Sequence, residues 1–343
     1  MRDDLMTVSR VRVRTPVRIC DVGGWSDTWF AGHGRVCSIA VHPGVCVDIR
    51  AQALGIDVQL GDDSAVPAGA LADVHPLISV ALTEIPPPPR CGWHIHISAE
   101  MPPGCATGTS AAVSVALLCA LARLHQRTLS PAEAARRAHA LETERLGLQS
   151  GIQDQIGAAF GGINDIVMHA YPRYQRNPCT PTASTITALN NQLQLWYLGR
   201  PHSSSHVHEE VIRRFETIPA AQALLEPLRT AAHHAVTAIQ MGDLRAYGEA
   251  LQHNTQAQRA LHPALVCADA ETLIAMAAAA GALGWKVNGA GGDGGSVAIL
   301  WPDTATAQHQ LTPIQRVLPQ AQHIPIHVSM SGISYEVCTE EAQ

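Results

Sequence analysis

Residues 102–112 read Pro-Pro-Gly-Cys-Ala-Thr-Gly-Thr-Ser-Ala-Ala. They join an alternating run, Trp93-His94-Ile95-His96-Ile97-Ser98, to an Ala/Leu-rich segment ending near Leu124. That order predicts strand, small-residue turn and helix. Two Gly, two Thr and one Ser ahead of a strong helix former leave backbone N–H groups uncovered at a helix N-terminus, where the helix dipole favours negative charge. The stretch is therefore a candidate anion site. No Lys follows its second Gly, so the Walker phosphate loop does not explain it. An ordinary capped βα turn accounts for these residues equally well, and the rest of the chain has to decide.

The chain is long enough for one large domain or two, at 343 residues with 46% hydrophobic and only 15% charged side chains. A formal net charge of −6 and the lack of a Lys/Arg cluster with interleaved aromatics exclude nucleic acid as the main partner. The nine Cys form no CxxC pair and mostly sit in apolar runs, the pattern of reduced thiols in a cytoplasmic protein. Met1 to Arg14 lack an apolar stretch, and nowhere do 18 strongly apolar residues run together, so neither secretion nor a membrane span is expected. Of the His residues only His202, His206 and His208 cluster, a weak basis for a metal.

Val8 to Ile19 alternates valine or isoleucine with arginine and reads as a half-buried strand interrupted at Pro16. Asp21-Val22-Gly23-Gly24-Trp25-Ser26-Asp27 follows as a Gly-Gly turn with a carboxylate and an aromatic ring. That combination suits a sugar, and equally a solvated surface turn. Arg35 to Arg50 resumes a strand pattern, broken at Pro43-Gly44. A short helix is expected around Val74–Thr83, and Ser130-Pro131-Ala132-Glu133 carries the signals of a helix start, with that helix running through Glu142 and Glu144.

Asp154 stands amid small, apolar and amide residues (Gly151 to Gly162), a setting that desolvates a carboxylate and calls for a cation; Arg18 is the partner expected. A solvated Asp on a helix face is the competing reading. Tyr171–Thr187 reads as a linker or excursion, and Leu193–Leu198 as a strand. Ala220–Met241, Leu244–His262 and Ala268–Gly281 read as helices, as does Thr304–Val317, broken or kinked at Pro313; His323–Met330 reads as a strand. The glycines between Asn288 and Gly295 lie between two strands and do not open a helix, which separates them from a dinucleotide fingerprint.

Three motifs in order resemble the GHMP small-molecule kinases, named for galactokinase, homoserine kinase, mevalonate kinase and phosphomevalonate kinase. They are the Arg-bearing strand entering a Gly turn with Asp, the Pro-x-x-x-x-Gly-Ser/Thr-Ser-Ala loop, and the late Gly-Ala-Gly-Gly hairpin, and they span residues 10–300. The wording of Arg14-Thr15-Pro16-Val17-Arg18, Gly23 to Asp27, Gly151 to Gln155 and Ala158 to Gly162 is most similar to the heptose 7-phosphate kinase and L-fucokinase group. The resemblance implies an α+β fold of two halves. Residues 1–185 would form a mixed-sheet N-terminal half and 186–343 a ferredoxin-like C-terminal half, with ATP in the cleft between them.

It further implies a kinase acting on the anomeric hydroxyl of a sugar or sugar phosphate, most like a heptose 7-phosphate 1-kinase. A free-monosaccharide kinase such as L-fucokinase, or a non-catalytic sugar or nucleotide binder, is the alternative. On this resemblance Pro103, Gly104, Cys105, Ala106, Thr107, Gly108, Thr109 and Ser110 would wrap the ATP phosphates. Ser110, alone or with Thr109, and Glu142 or its neighbour Glu144 would hold Mg²⁺; in an α-helix those two acids lie about 200° apart, so only one can face the ion. Asp154 would act as the base and Arg18 would keep it ionised, while Asp27, Trp25, Gly24, Arg200 and Ser203 would receive the sugar. A phosphorylated acceptor would need a second anion site, for which Arg14, Arg200 and His202 are the candidates. Asp293 in the late glycine loop would repel ATP phosphates if it faced them. The expected partner is a small sugar or sugar phosphate, without nucleic acid or membrane, and a homodimer stays open.

Overall fold

The computed structural model describes residues 7–70, 75–89, 92–201 and 206–340. Strands β1 (Thr7–Val22), β2 (Gly34–Gln52), β3 (Ile56–Leu60), β4 (Val66–Pro67), β5 (Gly92–Ala99), β6 (Ile163–Ala170) and β7 (Arg173–Cys179) build a mixed sheet. A second, four-stranded sheet holds β8 (Leu193–Tyr197), β9 (Gly284–Val287), β10 (Ser296–Leu300) and β11 (Gln322–Ile324). The chain's last strands, β12 (His327–Val328) and β13 (Ser334–Glu340), then return to the first sheet, pairing with β2 and β1.

The first sheet runs β13-β1-β2-β5-β3-β4, with β6 and β12 also on β2 and β7 on β6; its β3–β5 pair is parallel and its other pairs are antiparallel. The second runs β11-β8-β10-β9, antiparallel throughout. With helices after β8 and after β10, this is the βαββαβ order of a ferredoxin-like unit. The expected α+β architecture of a mixed-sheet half and a ferredoxin-like half therefore holds. A sequence boundary at 185/186 nevertheless cuts across the first sheet, because β12 and β13 come from the far end of the chain.

The alternation of β1 puts Val11, Val13, Val17 and Ile19 in the core and leaves Arg10, Arg12 and Arg14 on the opposite face. There Asp48 pairs with Arg10, Arg12 and Arg50, and Glu336 of β13 pairs with Arg12 and Arg14. Pro16 does not end the strand: the β1–β2 register shifts between Thr15 and Val17, so the missing N–H falls at a bulge. Helix α1 (Pro76–Glu84) precedes β5. Helix α2 (Thr109–Leu124) is apolar on nearly every side because it is covered on every side, by β1 and β2 and by helices α3 (Pro131–Ala140) and α4 (Gln153–Phe160).

Several sequence expectations need correction. Tyr171–Thr187 is not a linker: Arg173–Cys179 forms β7 against β6, and Ala183–Gln192 is a helix. Among the described residues β7 pairs with β6 alone, and an edge position tolerates Pro178. The strand expected at His323–Met330 is split at Pro325, where the chain passes from the second sheet to the first. The last helical region breaks at Gln310, one turn before Pro313, whose ring would clash with the carbonyl of His309 in a continuous helix. Among the described residues no helix is long and apolar enough to cross a membrane.

Candidate active site

A cleft of about 840 Å³ lies between the halves. The N-terminal half lines it with Arg18, Asp27, Ser110, Glu142 and Asp154, and the C-terminal half with His208, Glu209, Ile212, Gly289 and Ala290. Arg18, on β1, and Asp154, in the first turn of α4, form its central pair. Arg18 Nε donates to Asp154 Oδ1 at 2.7 Å and Nη2 to Oδ2 at 3.2 Å, the two-pronged geometry a guanidinium offers a carboxylate. Arg18 Nη1 donates to the carbonyl of Ala106, and the Arg18 backbone N–H to that of Thr107, so one residue holds both the carboxylate and the 102–112 loop. Burial alone would lower the Arg18 pKa; the charges of Asp154 and Asp21 outweigh it and hold the group above its ordinary value.

The loop meets α2 at Gly108, which has φ +72 and places its α-carbon against Asp154: a Cβ there would lie 3.1 Å from Asp154 Cγ. No side chain caps this helix start. Ala106, Gly108 and Ser110 line the cleft, and the Ser110 side chain is exposed to it. Ala111 lines it as well, and other loop residues make contacts within the fold. Cys105 is buried with its thiol pushed up to about 11 by burial, and its carbonyl accepts from Ser296 Oγ at 2.6 Å. Thr107 is buried, and Tyr197 donates to the Pro103 carbonyl at 3.3 Å. Gly104 and Thr109 are not among the cleft-lining residues.

Helix α3 starts as expected, with Ser130 Oγ accepting from the Glu133 N–H at 3.2 Å. Residues Leu141–Arg145 then widen into a π-helical turn, a distortion often found at functional sites. On this turn Glu142 is buried and lines the cleft, whereas Glu144 is exposed and is not among the cleft-lining residues. Ser114 Oγ donates to Glu142 Oε1 at 3.2 Å and Gln155 Nε2 to Oε2 at 2.7 Å. Burial, and then the charge of Asp154, push Glu142 up to about 7 against these hydrogen bonds. Among the described residues no three His, Cys, Asp or Glu gather to hold a metal by themselves. Ser110 and Glu142 together offer two hard oxygen donors, a set that suits a cation which keeps water and phosphate oxygens as its other ligands.

Asp27 is buried in the same cleft, but one of its oxygens has a task the sequence did not reveal. Its Oδ2 accepts the N–H groups of Ile152 (2.9 Å) and Gln153 (3.1 Å), capping the start of the helix that carries Asp154. Burial and the nearby Asp154 charge raise it to about 6. Trp25 lines the cleft with little exposed surface, and its Nε1 donates to the Ala290 carbonyl at 3.0 Å. Gly24 lies in the turn above Asp21 and is not among the cleft-lining residues.

Arg200 is not brought to the cleft either. It pairs with Asp269 at 2.5 Å, and Asp293 lies 3.7 Å from it, so two acids from distant parts of the chain take up its charge. Ser203 and His202 lie outside the described residues.

Sequence reasoning missed a buried polar seam beneath the cleft. Lys286 Nζ lies 3.3 Å from Asp21 Oδ1 with both side chains 1% exposed, and burial lowers the lysine's pKa while Asp21 opposes this. Asp21 also accepts from the Gly289 N–H at 3.0 Å, Asn254 from the Gly23 N–H at 2.6 Å, and Asn288 from the Cys20 N–H at 2.9 Å. A lysine within an otherwise apolar strand, Gly284-Trp285-Lys286-Val287, was the available signal for a buried ion pair.

Residues 75–162 match the family model for the GHMP kinases N terminal domain. A mevalonate kinase of Thermococcus sibiricus is 25% identical over 76% of this chain and 74% of its own length. Among solved structures, a D-glycero-D-manno-heptose 1-phosphate kinase from Bacteroides thetaiotaomicron superposes with a TM-score of 0.72 at 19% identity, covering 95% of this chain and 98% of that one. A galactokinase of Lactococcus lactis, complexed with galactose, gives a TM-score of 0.75 at 17% identity over 95% of both chains. Residues 75–162 therefore match the GHMP kinases N terminal domain, and the chain as a whole shares the fold of these solved kinases.

Proposed function

We propose that the protein is an ATP- and Mg²⁺-dependent kinase that phosphorylates the anomeric hydroxyl of a sugar or sugar phosphate. The observation that carries this reading is the Arg18–Asp154 pair packed against Gly108 at the start of α2. A carboxylate held beside a helix N-terminus sets a proton acceptor next to a place for phosphate. Asp154 takes or orients the proton of the accepting hydroxyl, and Arg18 holds that carboxylate in place and steadies charge developing near it. The backbone N–H groups at Gly108 to Ser110 receive phosphate oxygens. Ser110 and Glu142 would hold Mg²⁺, which supplies charge neutralisation to those oxygens when bound. The residues thus contribute position and electrostatics, which is most of what phosphoryl transfer asks of a protein.

The relatives differ in what their names say they act on: mevalonate, a heptose phosphate and galactose. A screen of ADP release across monosaccharides, their phosphates and mevalonate tests the reading directly. Asp154→Asn is expected to slow product formation by about 10²–10⁴-fold with ATP binding retained. Product formation at the unmodified rate by that variant would refute Asp154 as the base. An absence of ATP-dependent product with every acceptor would favour a non-catalytic binder.

A further inference from the structure

The cleft lining is of two kinds. Ala106, Gly108 and Ser110, at the start of α2, present backbone and hydroxyl groups; Asp27, Thr28, Trp29, Gln149, Gln153 and Glu209 present carboxylates, amides and an aromatic ring. On the kinase reading above, the acceptor sits against the second group. We infer that this acceptor is an uncharged sugar, and not a sugar phosphate or a hydroxy acid.

The first ground is charge. Among the described residues lining the cleft, Arg18 is the single Lys or Arg, and its guanidinium is engaged by Asp154 and the Ala106 carbonyl. His208 is buried, and burial holds its pKa below the ordinary value, so its ring is neutral at physiological pH. Against this stand the carboxylates of Asp27 and Glu209 in the cleft lining itself. Of the described residues expected to receive a second anion, Arg14 and Arg200 are engaged elsewhere. Arg14 pairs with Glu336 on the outer face of the first sheet, and Arg200 with Asp269. Arg213, in the adjoining cavity, has Glu209, Glu210 and Glu216 around the same cavity. A phosphate or carboxylate on the acceptor would face like charge in a partly desolvated cleft, which costs two or more powers of ten in affinity, roughly 100-fold.

The second ground is hydrogen-bond direction. Gln153 Oε1 is a buried acceptor with no hydrogen-bond partner, on a side chain that lines this cleft. Its Nε2 lies on the side of Gly24 that also holds the Asp21 carboxylate, the side an amide N–H prefers. Gln153 Oε1 and the carboxylates of Asp27 and Glu209 therefore all call for donors. A sugar hydroxyl donates; an ionised phosphate or carboxylate only accepts. The indole of Trp29 adds an apolar wall of the kind that packs against a sugar ring.

The test uses the full chain with Mg²⁺ and ATP. Values of kcat/KM are measured for a panel of free hexoses, 6-deoxyhexoses and heptoses, for the terminal phosphate esters of the hexoses and heptoses, and for mevalonate. Binding of the same compounds without ATP is followed by calorimetry. A free sugar is expected to exceed its phosphate ester and mevalonate by at least about 100-fold in kcat/KM, with the same order in binding. A phosphate ester or mevalonate that is bound and turned over better than every free sugar overturns the inference and leaves the kinase reading intact. Selective binding of a free sugar with no ADP released from any acceptor does the reverse, supporting the charge class of the site and removing the kinase reading.

Discussion

Replacing Glu142 by glutamine should stabilise the protein at alkaline pH while removing activity. Glu142 is 5% exposed, and burial with the Asp154 charge raises its carboxyl from an ordinary 4.5 to about 7. A carboxyl whose pKa is higher in the folded state contributes stability fully present below pH 4.5 and lost as the pH rises through 7. The gap amounts to about 3 kcal/mol. Glutamine has nearly the same shape, and the site can receive its amide. Ser114 Oγ accepts as well as donates, and Gln155 Oε1, buried without a partner, becomes an acceptor once that side chain turns its amide over. Urea unfolding at pH 5 and pH 8, without divalent cations, measures the effect. The stability of E142Q relative to the unmodified protein should be greater at pH 8 than at pH 5 by about 2.5 kcal/mol, since part of the gap is already lost at pH 5, and ADP release should fall at least about 100-fold. A stability difference that does not change between the two pH values would refute the electrostatic account of this buried acid.

Gly108→Ala forces a side chain into φ +72 and toward the Asp154 carboxylate, so it should cost about 1–2 kcal/mol in urea unfolding and reduce turnover more than it reduces sugar binding. An unchanged rate would show that the approach of this loop to Asp154 is not needed. Lys286→Met strands Asp21 in the seam, for an expected loss of about 3–5 kcal/mol. Adding Asp21→Asn should recover part of that loss, and additive losses would argue against their pairing. Cys105, buried with its thiol at about 11, should resist iodoacetamide at pH 8 while exposed Cys338 reacts, as peptide mapping would report.

What was legible in the sequence was what is local or forced by burial. The alternation of Val11 to Arg14 assigned the start of β1, where one face is core and the other carries arginines; beyond it β1 and much of β2 are buried on both faces. Asp154 pointed to Arg18 across 136 positions because an acid among apolar neighbours has few ways to stay charged. Other features depend on contacts that leave no mark on the surrounding residues. The aspartate of the Gly-Gly turn looks like any exposed turn acid until Ile152 and Gln153 bring their N–H groups to it. Arg200 looked available because both acids that approach it, Asp269 and Asp293, belong to distant segments. Strand β13 could have been inferred from β1: a row of arginines on a half-buried strand asks for acids on its neighbours, and Glu336 answers two of them.

The late glycine loop shows how the C-terminal half acts on chemistry located in the other half. Asp293, which would repel phosphate if it faced the cleft, is instead 71% exposed beside Arg200, and the loop meets the cleft only through Gly289 and Ala290. Gly289 has φ +65, and a Cβ there would lie 3.1 Å from the Ala106 side chain. Ala106 is itself at φ +59, a left-handed conformation that costs a residue with a Cβ about 1–2 kcal/mol. That strain is sustained from both sides, since Arg18 binds the Ala106 carbonyl from β1 and the hairpin packs against its methyl from the second sheet. Glycine at 289 is therefore favoured twice, by its own φ of +65 and by the Ala106 methyl 3.1 Å from where a Cβ would lie: a side chain there presses on the 102–112 loop from the second sheet, opposite the hold that Arg18 has on it, without any catalytic group being altered.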